Sequence, residues 1–179
     1  GLAWEYDLGT ARVQESTPVV IDGVMYASGN LGRVYALNAV TGEELWTFTP
    51  EVDMQVSRMV CCDFANRGLA VAQGKVLVAA IDGTLYALNA ETGEQVWTRP
   101  KAFSQRTRGL TYWQSADGKD RRLYHFFDQN MGAVDARTGE TIKSFGVDGA
   151  IDLRLGLGRD NVARIQPSTP PRVFGNIII

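Results

Sequence analysis

Residues 34–46 read Val34-Tyr35-Ala36-Leu37-Asn38-Ala39-Val40-Thr41-Gly42-Glu43-Glu44-Leu45-Trp46, and residues 85–97 read Leu85-Tyr86-Ala87-Leu88-Asn89-Ala90-Glu91-Thr92-Gly93-Glu94-Gln95-Val96-Trp97. Their cores, Ala36 to Trp46 and Ala87 to Trp97, stand 51 residues apart. A third copy begins at Ala133, with Thr138-Gly139 placed 46 residues after Thr92-Gly93 and Lys143 where the others carry Trp46 and Trp97. Self-similarity at this period marks stacked supersecondary units.

Each unit reads as β. Val24-Met25-Tyr26-Ala27 and Val76-Leu77-Val78-Ala79 are short, rich in β-branched and aromatic residues, and bounded by Asp-Gly or Gln-Gly turn signals. The alternating Val34-Tyr35-Ala36-Leu37 enters a turn at Thr41-Gly42, where glycine supplies a positive φ without steric cost. Glu43 to Phe48 resumes as a strand, and no twelve-residue stretch shows a clean helical period. Pro18 and Pro170 each follow a Ser-Thr pair, which suits the first residue of a strand. Unit starts are therefore expected at Thr17-Pro18, Arg67-Gly68, Arg108-Gly109 and Thr169-Pro170. The predicted fold is all-β, with β-propeller blades of four antiparallel strands at about 16–49, 67–99 and 108–146, a leading strand, and the start of a further blade at 168–179. Three blades and a fraction do not close a ring, so the chain is expected to belong to a larger ring or to be one partner in it.

Composition narrows the function classes. The chain has 179 residues, 45% hydrophobic and 21% charged, which excludes disorder, collagen and a disulfide-dense scaffold. A net charge of −2 offers no basic surface for nucleic acid. The longest apolar run, Val76 to Ile81, is six residues and far too short for a membrane-spanning helix. No signal segment precedes Gly1-Leu2-Ala3-Trp4-Glu5-Tyr6, which reads as the start of a mature or trimmed chain. No glycine-rich phosphate loop is present.

Ala36-x-Asn38-x-x-Thr41-Gly42-x-x-x-Trp46 and its copy at Ala87 to Trp97 resemble the tryptophan-docking motif of quinoprotein dehydrogenases. The resemblance implies an eight-bladed propeller that holds pyrroloquinoline quinone (PQQ) and a calcium ion near its axis. The motif itself is a packing device, since a buried indole covers roughly 150–250 Å², and non-enzymatic propellers carry it too. More specific is Cys61-Cys62-Asp63-Phe64-Ala65-Asn66-Arg67-Gly68, which is similar to a segment of the alcohol-dehydrogenase branch. The resemblance implies a disulfide between the adjacent cysteines lying against one quinone face, an oxidising compartment (the periplasm), and Arg67 reaching the quinone oxygens. The alternative is a pair of reduced, buried thiols. Glu15, in Val13-Gln14-Glu15-Ser16-Thr17-Pro18, matches an acidic residue that hydrogen-bonds the cofactor, and Arg108 falls where the alcohol branch places a cofactor-facing hydroxyl. The expected cofactor-binding set is thus Glu15, Cys61, Cys62, Arg67 and Arg108.

The chain also departs from that branch. The stretch Tyr124-His125-Phe126-Phe127-Asp128-Gln129-Asn130 has no counterpart of the calcium-binding glutamate, and Asp128 aligns with Asp82, a turn residue. His125, the sole histidine, reads as packed among aromatics without a metal or triad partner. Lys143 to Gly158 instead resembles the sugar and polyol branch. The family's catalytic base and remaining calcium ligands belong to later blades. The reading that follows is the N-terminal part of a PQQ- and calcium-dependent dehydrogenase that oxidises an alcohol, polyol or sugar and passes electrons to a cytochrome or membrane quinone. A non-catalytic propeller acting as a binding or assembly scaffold is the alternative from another class, and a relative that keeps the quinone seat without activity is a third.

Overall fold

The computed structural model describes residues 1–53, 55, 64–100, 109–159, 162, 165, 167 and 169–179. The first repeat folds into the strands β1 (Val19–Ile21), β2 (Val24–Ser28), β3 (Val34–Asn38) and β4 (Glu44–Phe48), paired in sequence order. The second gives β5 (Ala70–Ala72), β6 (Lys75–Ala79), β7 (Leu85–Asn89) and β8 (Gln95–Arg99), paired likewise. The third gives β9 (Thr111–Gln114), β10 (Arg121–Phe127), β11 (Asn130–Asp135) and β12 (Ala150–Asp152), and β13 (Val173–Phe174) with β14 (Ile177–Ile178) forms a two-stranded ribbon. All named pairings are antiparallel. Three four-stranded blades and a ribbon make an arc of a propeller. No helix among the described residues is long and apolar enough to cross a membrane.

Local chemistry explains why the copies fold alike. In the first, Asn38 Oδ1 accepts the backbone N–H groups of Val40 and Thr41 at 2.9 and 3.1 Å, and Thr41 Oγ1 accepts Glu43 N–H at 3.3 Å. Asn89 and Thr92 repeat this, at 2.8, 3.1 and 3.2 Å. Asp135 takes the same place in the third copy, accepting Arg137 N–H at 2.7 Å. The polar side chains thus satisfy turn donors while glycine takes the left-handed backbone. A one-residue register shift then follows in each of the first two blades, between Ala36 and Leu37 and between Ala87 and Leu88. Leu45 and Val96 are the unpaired bulge residues, which is why these two apolar side chains are half exposed.

Packing between blades builds two cores. Val76, Val78 and Ala80 point toward Tyr26, Val34, Ala36 and Trp46 of the first blade. Leu77 and Ala79, their alternates, meet Leu110, Leu123 and Val134 of the third. The run Val76 to Ile81 is therefore apolar throughout because the strand is buried on both faces. The indoles stitch the blades together. Trp46 Nε1 donates to Ala90 O at 3.0 Å and Trp97 Nε1 to Ala136 O at 3.3 Å, each crossing into the following blade. Trp4 makes the same contact with Ala39 O at 3.2 Å.

The outer strand of the third blade, β12, lies at Ala150–Asp152. After Thr138-Gly139 the chain follows β11 through the Val134–Thr141 bridge, the Asp135 N–H donated to Glu140 O at 2.8 Å and the Ile142 N–H donated to Ala133 O at 3.0 Å. It then leaves the sheet and returns at Ala150, which pairs with Gly132. Lys143 stands where the other copies carry the indole that reaches the following blade. Phe145 instead packs against Tyr124, with ring centroids 5.4 Å apart.

Candidate functional site

The segment Phe64–Gly68 crosses from the first blade to the second, and two neighbours fix it. Phe64 O accepts the Leu31 N–H at 3.0 Å from the β2–β3 loop. Asn66 is buried, donates Nδ2 to Ala79 O at 2.7 Å and accepts the Gly68 N–H on Oδ1 at 3.0 Å. Between these anchors Arg67 extends its guanidinium to Glu15, with Nε donating to Oε2 at 2.8 Å. Both side chains are about one third exposed, at 32% and 33%. At that exposure the pair contributes at most about 1 kcal/mol, so it is better regarded as a positioning contact than as a stabilising one.

Residues 12–17 lie alongside. The Arg12 guanidinium sits 4.7 Å from the centre of the Phe64 ring, Gln14 donates its side-chain amide to Asn30 Oδ1, and Ser16 Oγ accepts the Ser28 N–H at 2.9 Å. Asn30 Nδ2 is buried without a hydrogen-bond partner among the described residues. Where the blade-start segments meet, Thr17, Arg67, Gly68, Thr111, Pro170 and Arg172 line an open depression of about 210 Å³. Gly109 is required there, because its φ is +129° and a Cβ would come within 2.9 Å of Pro170 Cγ.

Of the residues expected to bind cofactor, the structure brings Glu15 and Arg67 together. Cys61, Cys62 and Arg108 lie outside the described residues. Asp82 is a turn residue, its Oδ1 accepting the Thr84 N–H at 3.0 Å. His125 is packed away from solvent, stacked on Phe127 with centroids 5.4 Å apart. Burial, and secondarily the charge of Arg99, pushes the His125 pKa down to about 4. Its imidazole is therefore neutral at pH 7. A second open depression of about 380 Å³, lined by Trp113, Arg122, Tyr124, Phe145, Val173 and Ile178, separates the third blade from the ribbon. Arg122 is engaged there by Asp120, with Nε 2.9 Å from both carboxylate oxygens. Sequence reasoning missed the clamping role of Asn66 and the contribution of the β2–β3 loop. The Gly29 and Gly32 pair flanking Asn30-Leu31 was the available signal for that loop.

The model of the PQQ family described as glucose/ethanol/alcohol dehydrogenase, β-propeller domain, matches residues 1–96 and 70–179, which together span the chain. The chain belongs to this family. A quinohemoprotein alcohol dehydrogenase of Comamonas testosteroni is 48% identical over 97 residues, covering 54% of this chain and 14% of that protein. A 1-butanol dehydrogenase (cytochrome c) of Thauera butanivorans is 48% identical over 99 residues, covering 55% of this chain and 14% of that protein. The crystal structure of the Comamonas testosteroni enzyme superposes with a TM-score of 0.68 at 36% identity, over 78% of this chain and 22% of that one. The chain thus matches about one seventh of the length of these curated relatives. A likeness to BamB from Moraxella catarrhalis, at 21% identity and TM-score 0.52, concerns the fold alone.

Proposed function

We propose that the chain supplies part of the cofactor seat of a PQQ-dependent dehydrogenase that oxidises an alcohol, polyol or sugar. The observation that carries this reading is the 2.8 Å contact between Arg67 and Glu15, two residues 52 positions apart. The family resemblance had assigned each of them to the quinone separately. The donor set fits an anionic quinone. Arg67 and Arg172 line the depression with the hydroxyl-bearing Thr17 and Thr111, and the guanidinium fork suits paired oxygens.

In this reading Arg67 binds and orients the quinone oxygens, while Glu15 restricts the guanidinium to one direction. Thr17 and Thr111 offer hydroxyls at the rim. Cys61, Cys62 and Arg108 join the seat, the two cysteines as a disulfide in the oxidising periplasm. When bound, PQQ supplies the acceptor for the hydride equivalent removed from the carbinol carbon, with calcium as the Lewis acid beside it. We assign no proton transfer to Glu15 or Arg67. The general base and the calcium ligands belong, on the family pattern, to other blades, and the acceptor of the electrons is a cytochrome or membrane quinone.

In this reading the chain alone is incomplete and inactive. The test is therefore titration of the full-length apoprotein, with all its blades, with PQQ in the presence of calcium, followed by dye-linked oxidation of alcohols and sugars. Quinone absorbance retained through dialysis, and lost on Arg67→Ala, is the expected result. An apoprotein that binds no PQQ under these conditions overturns the proposal.

A further inference from the structure

The geometry points to Asn66 as the positioning residue that fixes where Arg67 enters the site. This inference rests on the proposed role of Arg67 and adds a second residue to it. Asn66 is 2% exposed and uses both ends of its amide, Nδ2 on Ala79 O at 2.7 Å and Oδ1 on Gly68 N–H at 3.0 Å. The first bond ties the segment to the end of β6 in the second blade. The second closes a tight loop around Arg67 itself, since the bonded groups flank it on either side.

The residues that directly follow β6 receive the first blade. Ile81 donates its N–H to Leu31 O at 3.1 Å, and a Cβ on Gly32 would come within 2.7 Å of Ala80 Cα. Leu31 in turn donates its N–H to Phe64 O. Residues 79–81 are therefore one platform on which the β2–β3 loop and, through Asn66, the Arg67 segment both rest. Arg67 leaves this platform and reaches Glu15, which is held ahead of β1. A buried amide is well suited to the task, because a short side chain bonded at both ends has no alternative arrangement, and a group fixed this way supports the residue that touches the ligand. Asparagine is needed specifically. Aspartate keeps the acceptor for Gly68 N–H, but would set a carboxylate oxygen against the Ala79 carbonyl, where a donor is required.

The test uses the full chain with Asn66→Ala and Asn66→Asp, the latter nearly isosteric and able to retain the fold where the former does not. Asn38→Ala, which removes a turn asparagine of the first blade, is the control for loss of stability alone. Without cofactor, the rate at which phenylglyoxal modifies Arg67, read by mass spectrometry, should rise severalfold in both Asn66 variants and stay unchanged in Asn38→Ala. With cofactor, the PQQ dissociation constant should rise about tenfold, the order seen when a supporting partner of a binding residue is lost. In the Arg67→Ala background the Asn66 substitutions should leave it unaltered. An unchanged Arg67 modification rate in a folded Asn66→Asp variant overturns the inference, as does a full PQQ effect that persists without Arg67. If the unsubstituted protein binds no PQQ, the proposed function fails, while the modification rates still decide the role of Asn66.

Discussion

Replacing Gly93 by alanine separates two demands that the interblade turn makes on one residue. The backbone there has φ +74°, and a Cβ would lie 2.7 Å from both Cδ2 and Cε3 of Trp46. Gly74, in the β5–β6 turn, has nearly the same φ of +67° with nothing within 4 Å of its Cβ position. Gly74→Ala therefore reads the left-handed backbone cost alone, about 1–2 kcal/mol. Gly93→Ala adds an overpacking cost of about 1–3 kcal/mol. If the indole tilts away it also loses its 3.0 Å bond to Ala90 O, a further loss of about 1 kcal/mol. The expected excess of Gly93→Ala over Gly74→Ala is thus about 2–4 kcal/mol. Guanidinium unfolding followed by tryptophan fluorescence measures both, with the slope checked so that midpoints convert to free energies. In a Trp46→Ala background the excess should vanish. Equal costs for the two glycines, or an excess that survives without Trp46, would refute the idea that the indole rather than the backbone makes this glycine necessary.

Other predictions follow from the site and the core. His125 is neutral and buried with its pKa pushed down to about 4, against about 6.5 in the unfolded chain, so the unfolded state binds more protons between these values. Its contribution is complete above about pH 6.5, declines as pH falls and levels off near pH 4, with a total loss of about 3 kcal/mol. His125→Leu should flatten that slope in pH-dependent unfolding, and an identical slope in both proteins would rule out the histidine as its source. Arg67→Lys keeps the charge but loses the guanidinium fork, and we expect PQQ affinity to fall by about tenfold, measured by absorbance titration. Mass spectrometry of unreduced protein from its native compartment should show a deficit of about two daltons if Cys61 and Cys62 are bridged, whereas two freely alkylatable thiols would exclude the bridge.

The repeat was legible because its signals are local. Asn38, Thr41 and Gly42 specify their own turn through contacts two or three residues long, and the copies at Asn89 and Asp135 do the same. The path of residues 143–149 was not legible, because it depends on what β11 offers as a partner once the indole is replaced by Lys143. The contact between Glu15 and Arg67 could not be read from a separation of 52 residues either, since blade packing sets it. Each residue was identifiable only through its resemblance to a family pattern. Asn66 stood inside the most informative octet, yet its role emerges only with Ala79, which lies on another strand. His125 shows the opposite case: its aromatic neighbours in sequence, Tyr124, Phe126 and Phe127, were enough to indicate a packed ring.

The indole contacts run in one direction, each tryptophan reaching forward to the glycine turn of the next unit. This is a head-to-tail interface, with two unlike surfaces that leave a free partner at either end of any stack. A substitution in a Thr-Gly turn therefore loosens the unit before it, and a phenotype mapped to one blade belongs structurally to its predecessor. Such an interface also has no intrinsic stopping point: the angle between units alone decides whether it closes or propagates as a filament. Trp4 makes on the Gly42 turn the same contact that Trp46 and Trp97 make on the turns of the second and third units.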